Sequence, residues 1–84
     1  MEKDMRQEIR VMTEKIELLI DRIKIDDGRG IGMLTNMKAY ISDSKHFLHA
    51  NNLIKSFEAI VWAWAILEIC EELEVFKIDR SEQP

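Results

Sequence analysis

Asp43, His46 and His49 are the residues of this sequence whose types and spacing are most suggestive of chemistry. They recur at intervals of three residues, so on a helix they lie on neighbouring parts of its surface. A carboxylate and an imidazole three residues apart can both ligate one metal ion, as they do in di-iron helical bundles. Metal or small-ligand binding by these three residues is therefore our alternative hypothesis. Because di-iron bundles use two such pairs and this sequence has one, we expect no cofactor.

Neither Cys70 nor the glycine-rich segment 26–32 forms a recognisable catalytic motif. Cys70 lies among apolar residues, where burial raises the pKa of a thiol and suppresses the reactive thiolate. The segment 26–32 holds all three glycines, but it lacks the preceding strand, the Walker lysine and the dinucleotide spacing of phosphate-binding loops. Since glycine readily adopts the left-handed backbone, we interpret this segment as a connecting loop. We predict that the protein is not an enzyme.

The composition and charge indicate one small folded domain with an excess of acidic residues. The 84 residues are 46% apolar and 33% charged, with a net charge of −4, and they suffice for one core but not for two. Beyond the first helix, whose charges are mixed, no segment has the basic stripe that nucleic-acid binding usually requires. The apolar stretch Phe57–Cys70 is too short to span a membrane. With one cysteine and charged residues directly after Met1, we expect a cytoplasmic domain over residues 1–84 that binds neither nucleic acid nor membrane.

Apolar residues recur at intervals of three and four along most of the chain, which predicts helices. The first helix is expected over about 4–24, where a heptad stripe is formed by Met5, Ile9, Met12, Ile16, Leu19 and Ile23. The second is expected over about 33–50 and the third over 53–77, separated by Asn51-Asn52, a pair suited to ending one helix and capping the next. No alternating pattern predicts a strand. The expected fold is all-α, a three-helix up-and-down bundle.

The third helix carries large apolar residues on two opposite sides. At 100° per residue, one side holds Phe57, Ile60, Trp64 and Leu67, and the other holds Trp62, Ile66, Ile69, Leu73 and Phe76. A small three-helix bundle covers one broad face of each helix, and an uncovered apolar stripe usually marks an interface. We therefore predict a homodimer that forms through the stripe containing Trp62. Wider packing within the monomer and an unidentified protein partner are the alternatives.

The sequence between Ala39 and Leu67 has a distinctive pattern around a Trp-Ala-Trp-Ala core. Its characteristic residues are Tyr40, Asp43, His46-Phe47-Leu48, Asn51-Asn52, Phe57-Glu58-Ala59 and Val61-Trp62-Ala63-Trp64-Ala65. This pattern resembles the archaeal family catalogued as domain of unknown function 357. The resemblance implies a short archaeal protein folded as a three-helix up-and-down bundle, with no established activity, ligand or catalytic residue to carry over. The leading hypothesis is a non-enzymatic helical module for protein–protein interaction.

Overall fold

The computed structural model describes residues 2–80, which form three helices joined by short connections. The elements in chain order are α1 (Glu2–Ile20), β1 (Ile23–Lys24), α2 (Gly28–His49), α3 (Leu53–Glu72) and β2 (Lys77–Ile78). Short connections make successive helices antiparallel, and the pairing of β1 with β2 brings the C-terminal ends of α1 and α3 together. The protein is the three-helix up-and-down bundle that the sequence predicts.

Apolar side chains from all three helices and from the segment after α3 form one core. Its buried members are Ile16, Leu19, Met37, Ile41, Ile60, Ala63, Leu67, Cys70, Val75 and Phe76. The heptad stripe predicted for α1 is largely confirmed, because Ile9, Ile16 and Leu19 are buried. Only its first residue, Met5, is exposed.

A pair of fully buried serines joins α2 to α3. The Ser44 hydroxyl donates to the carbonyl oxygen of Ser56 at 2.8 Å, and the Ser56 hydroxyl donates to the carbonyl oxygen of Ser44 at 2.7 Å. Each hydroxyl thus finds its hydrogen-bond partner on the opposite helix, as buried polar groups require. Ala59 and Ala63 continue this face of α3 with small buried side chains, so the two backbones can approach closely.

The Asn51-Asn52 turn behaves as the sequence predicts. Asn51 has a left-handed φ of 64°. The N–H of Asn51 donates to the carbonyl of Leu48, and the N–H of Asn52 donates to the carbonyl of Phe47. These two bonds form a Schellman motif, which satisfies the last carbonyls of α2. The Asn52 side chain then accepts a hydrogen bond from the Lys55 backbone N–H at 3.2 Å, so it caps α3.

The prediction that the chain contains no strand is wrong, and so is the predicted end of the first helix. That helix ends at Ile20, and the next residues pair antiparallel with β2 in the register Ile23 to Ile78 and Lys24 to Lys77. Ile23 fits the heptad spacing of α1, so the periodicity continues through residues that are no longer helical. Strands of two residues are too short for alternation to reveal them.

The third helix ends at Glu72, five residues before its predicted end at 77. Glu74 adopts a left-handed φ of 61°, and the N–H of Val75 bonds to the carbonyl of Cys70 in a second Schellman motif. The chain therefore turns back, and Phe76 enters the core with 1% of its surface exposed. Placing Phe76 in the exposed stripe of the third helix is wrong for this reason.

The glycine-rich segment is mostly helix and not a loop, since α2 begins at Gly28. None of the three glycines has a positive φ, so the predicted left-handed backbone is wrong. Gly30 is needed for space, because a Cβ atom there would lie 2.3 Å from Cγ2 of Ile25. Asp27 caps the helix by accepting hydrogen bonds from the N–H groups of Arg29 and Gly30 at 2.9 and 3.4 Å.

Alanine substitutions at Gly30 and Gly32 should change stability in opposite directions. Gly30→Ala forces a methyl group against Ile25 and should lower the free energy of unfolding by about 1–2 kcal/mol. Gly32→Ala meets no atom within 4 Å and should raise it by about 0.5–1 kcal/mol, because alanine is the better helix former. Urea denaturation measures both; a Gly30→Ala variant as stable as the wild type would contradict the close-packing role.

Glycine at position 74 should stabilise the protein, because a non-glycine residue in the left-handed region costs about 1–2 kcal/mol. Part of this gain is offset by the greater chain entropy of glycine in the unfolded state. Glu74→Gly should therefore raise the free energy of unfolding by about 0.5–1 kcal/mol. The matched control Glu68→Gly, at an exposed position inside the helix, should lower it by about 1 kcal/mol. Equal effects of the two variants in urea denaturation would rule out the strained turn.

Candidate interaction surface

The two tryptophans of α3 face different surroundings, as the sequence predicts. Trp64 is half-buried, and its Nε1–H donates to the carbonyl oxygen of Met12 on α1 at 3.0 Å. Ile60 and Leu67, on the same side of α3, are fully buried. Trp62 leaves 58% of its surface exposed. One side of α3 therefore packs against α1, and the Trp62 side remains open.

Four apolar residues form the open stripe, which we name the Trp62 face: Trp62, Ile66, Ile69 and Leu73. Ile69 and Leu73 are 55% and 67% exposed, and Ile66 is half-buried. The structure thus brings together four of the five residues predicted for self-association. The fifth, Phe76, is in the core because α3 ends before it.

Tyr40 of α2 extends the Trp62 face into a groove between α2 and α3. Its ring stacks on Trp62 with centroids 6.1 Å apart and planes 19° apart, an offset arrangement that aromatic rings favour. The groove has a volume of about 460 Å³ and is lined by Asn36, Ala39, Tyr40, Asp43, Trp62 and Ile66. Sequence reasoning did not assign Tyr40 to this surface, although an aromatic residue on the helix that precedes the Trp62 stripe was a signal.

Charged residues of opposite sign lie at the two ends of the Trp62 face. Lys55, seven residues before Trp62, shares its side of α3 near the N-terminal end, and its ammonium lies 5.6 Å from the centre of the Phe47 ring. Glu72 is exposed at the C-terminal end of the helix. Glu58 is exposed on the same surface, one turn before Trp62. The N-terminal end of the face thus carries Lys55 together with Glu58, and its C-terminal end carries Glu72.

Other large apolar residues are exposed singly. Leu18 of α1, Ile31 at the start of α2 and Ile54 at the start of α3 are 70%, 64% and 69% exposed. Isolated exposed apolar residues are normal on protein surfaces. The Trp62 face differs from them because its members follow one another on one side of α3 as far as its C-cap Leu73, and continue into a groove.

The metal candidates Asp43, His46 and His49 are not gathered at one point. Asp43 lines the groove beside Trp62, whereas His49 lines a depression between α1 and α2. The His46 ring lies edge-on to Phe47, with centroids 5.5 Å apart. Within residues 2–80, no three or more His, Cys, Asp or Glu side chains are grouped so that they could hold a metal ion.

The other two sequence candidates are occupied by structural roles. Cys70 is 2% exposed, and burial raises the pKa of its thiol, as expected from its apolar neighbours. The first amides of α2 already bond to the Asp27 carboxylate, which fills the place where a phosphate would sit. Hydrogen bonds from the side chain and backbone of Arg29 hold the pKa of Asp27 below its usual value.

Comparison with known proteins places the chain in a family. No helix in the described part of the chain is long and apolar enough to cross a membrane. No curated protein sequence matches the chain. The crystal structure of protein AF1782 from Archaeoglobus fulgidus, a DUF357 protein, is similar, with a TM-score of 0.84 and 38% sequence identity over 93% of this chain and 97% of that one. The family model described as protein of unknown function (DUF357) matches residues 7–76, and the chain therefore belongs to the DUF357 family.

Proposed function

We propose that this protein is a non-enzymatic interaction module that pairs with a second copy of itself through the Trp62 face. The observation that carries the proposal is the run of three large apolar side chains, Trp62, Ile69 and Leu73, each more than half exposed on one side of α3. Burying a large apolar side chain is worth about 1.5–3 kcal/mol. A partner that covers this stripe therefore gains substantial free energy.

The spacing of the stripe suits a second helix as the partner surface. Trp62, Ile66, Ile69 and Leu73 follow one another at intervals of four, three and four residues. This is the spacing of the seam in a coiled coil, where side chains of one helix insert between those of the other. The third helix of a second copy presents the same seam, so the surface is self-complementary about a two-fold axis.

The charges favour an antiparallel pair of α3 helices. In a parallel pair, the acidic ends would meet and Glu72 of each copy would repel the other. In an antiparallel pair centred between Trp62 and Ile66, Lys55 of one copy lies opposite Leu73 of the other and within reach of the neighbouring Glu72. Such complementarity favours one orientation over another more than it adds affinity.

Trp62→Glu should abolish or strongly weaken the dimer without unfolding the chain. A buried aromatic residue at the centre of an interface commonly contributes at least about 2 kcal/mol, so we expect dimerisation to weaken about 30-fold or more. Sedimentation equilibrium from low micromolar to near-millimolar protein measures the association constant. Circular dichroism checks that the helix content is unchanged.

Leu18→Glu is the matched control, because Leu18 is 70% exposed on α1, away from the Trp62 face. This variant should dimerise as the wild type does. A wild-type protein that stays monomeric over the whole concentration range would contradict the proposal. So would equal weakening by Leu18→Glu and Trp62→Glu, since the loss would then follow from added charge alone.

Charge reversal tests the antiparallel orientation. Lys55→Glu and Glu72→Lys should each weaken the dimer several-fold, because each places like charges opposite one another at two symmetry-related positions. The double variant should return the association constant close to the wild-type value. Additive weakening in the double variant, measured again by sedimentation equilibrium, would exclude this register.

A further inference from the structure

The seam between α1 and α2 is wider than that between α2 and α3. The core joins α2 to α3 along most of their length. Helix α1 packs more closely on α3 than it does on α2. Long polar side chains bridge the open seam: the Lys45 ammonium lies 2.5 Å from the Glu17 carboxylate, and the Arg6 guanidinium donates to the side-chain oxygen of Asn51. These contacts span a depression instead of filling it.

One part of this seam is a depression whose polar lining is entirely basic. Its volume is about 300 Å³, and it is lined by Arg6, Arg10, Lys45, Leu48 and His49. Arg6 and Arg10 are one helical turn apart on α1, and Lys45 and His49 are one turn apart on α2. Two basic pairs therefore face each other across the seam, with Leu48 as the apolar member. This arrangement is notable in a chain whose net charge is −4.

We propose that this depression, which we name the basic groove, binds a small phosphate-bearing anion. Guanidinium groups match the geometry of phosphate oxygens and bind them with two parallel hydrogen bonds. Among the described residues, Arg10 takes part in no hydrogen bond or ion pair, so its guanidinium is available without breaking an existing contact. Lys45 and Arg6 are held in place by Glu17 and Asn51 and flank the position where the anion sits.

The volume and the neighbouring charges favour a small diffusible anion over a polymer. The adjoining part of the seam contains Glu14 beside Arg10 and Lys45, and Glu17 lies one turn further along α1. These carboxylates limit the positive potential to a short part of the seam. An extended polyanion would therefore be repelled by the negative charges of Glu14 and Glu17. The basic groove lies between α1 and α2, away from the Trp62 face, so the proposal holds for a monomer or a dimer.

Titration with inorganic pyrophosphate, followed by the backbone and histidine NMR signals, tests the proposal. The wild type should show saturable shifts that include His49 and Leu48. Arg10→Gln should weaken binding about ten-fold or more, as expected for loss of a charge-assisted hydrogen bond, and Arg10→Lys should retain part of the affinity. Arg29→Gln is the matched control, because Arg29 is exposed and pairs with Asp27 outside the basic groove; its affinity should equal that of the wild type.

Three results would overturn the proposal. The first is the absence of saturable pyrophosphate binding to the folded wild-type protein. The second is equal weakening by Arg10→Gln and Arg29→Gln, which would mean that the anion responds to overall charge. The third is binding to phosphatidylglycerol vesicles without binding of free pyrophosphate, which would assign the basic groove to a lipid surface.

Discussion

The reciprocal hydrogen bonds between Ser44 and Ser56 constrain the arrangement of the other elements. Each hydroxyl donates a hydrogen bond to a backbone carbonyl of the other helix, which is possible only when α2 and α3 lie close together. Small side chains, Ala59 and Ala63, keep the same distance further along. On the side of α3 that carries the buried Ile60 and Leu67, Trp64 bonds to Met12 of α1.

The different environments of Trp62 and Trp64 follow from this close contact. Two residues apart on a helix, they point about 160° away from each other, so no single neighbouring helix can cover both. Trp64 lies against α1 and donates to Met12. Trp62 is left beyond the edge of the close contact between α2 and α3, where Tyr40 covers one side of its ring.

Sequence periodicity predicted the helices, the division of α3 and the Asn51 turn, because each depends on residue types with strong local preferences. It failed at Glu74, since glutamate is no sequence signal for a left-handed residue, and Phe76 still fitted the helical spacing. The glycines were assigned to a connecting loop, whereas Gly30 lies in α2 and is required by the tertiary contact with Ile25. The basic groove could not be predicted, because it combines residues of α1 and α2 whose separation depends on how both pack on α3.

The pairing of Ile23 with Ile78 also bears on the order in which the protein folds. The α2–α3 hairpin consists of contacts between neighbouring parts of the chain, and its turn closes with little loss of entropy. The short ribbon pairs Ile23 with Ile78, which are 55 positions apart in the sequence, so all three helices must be largely in place before its bonds form. We expect the hairpin to form first and α1 to dock last, with the amides of β1 and β2 exchanging with solvent ahead of those in α2 and α3.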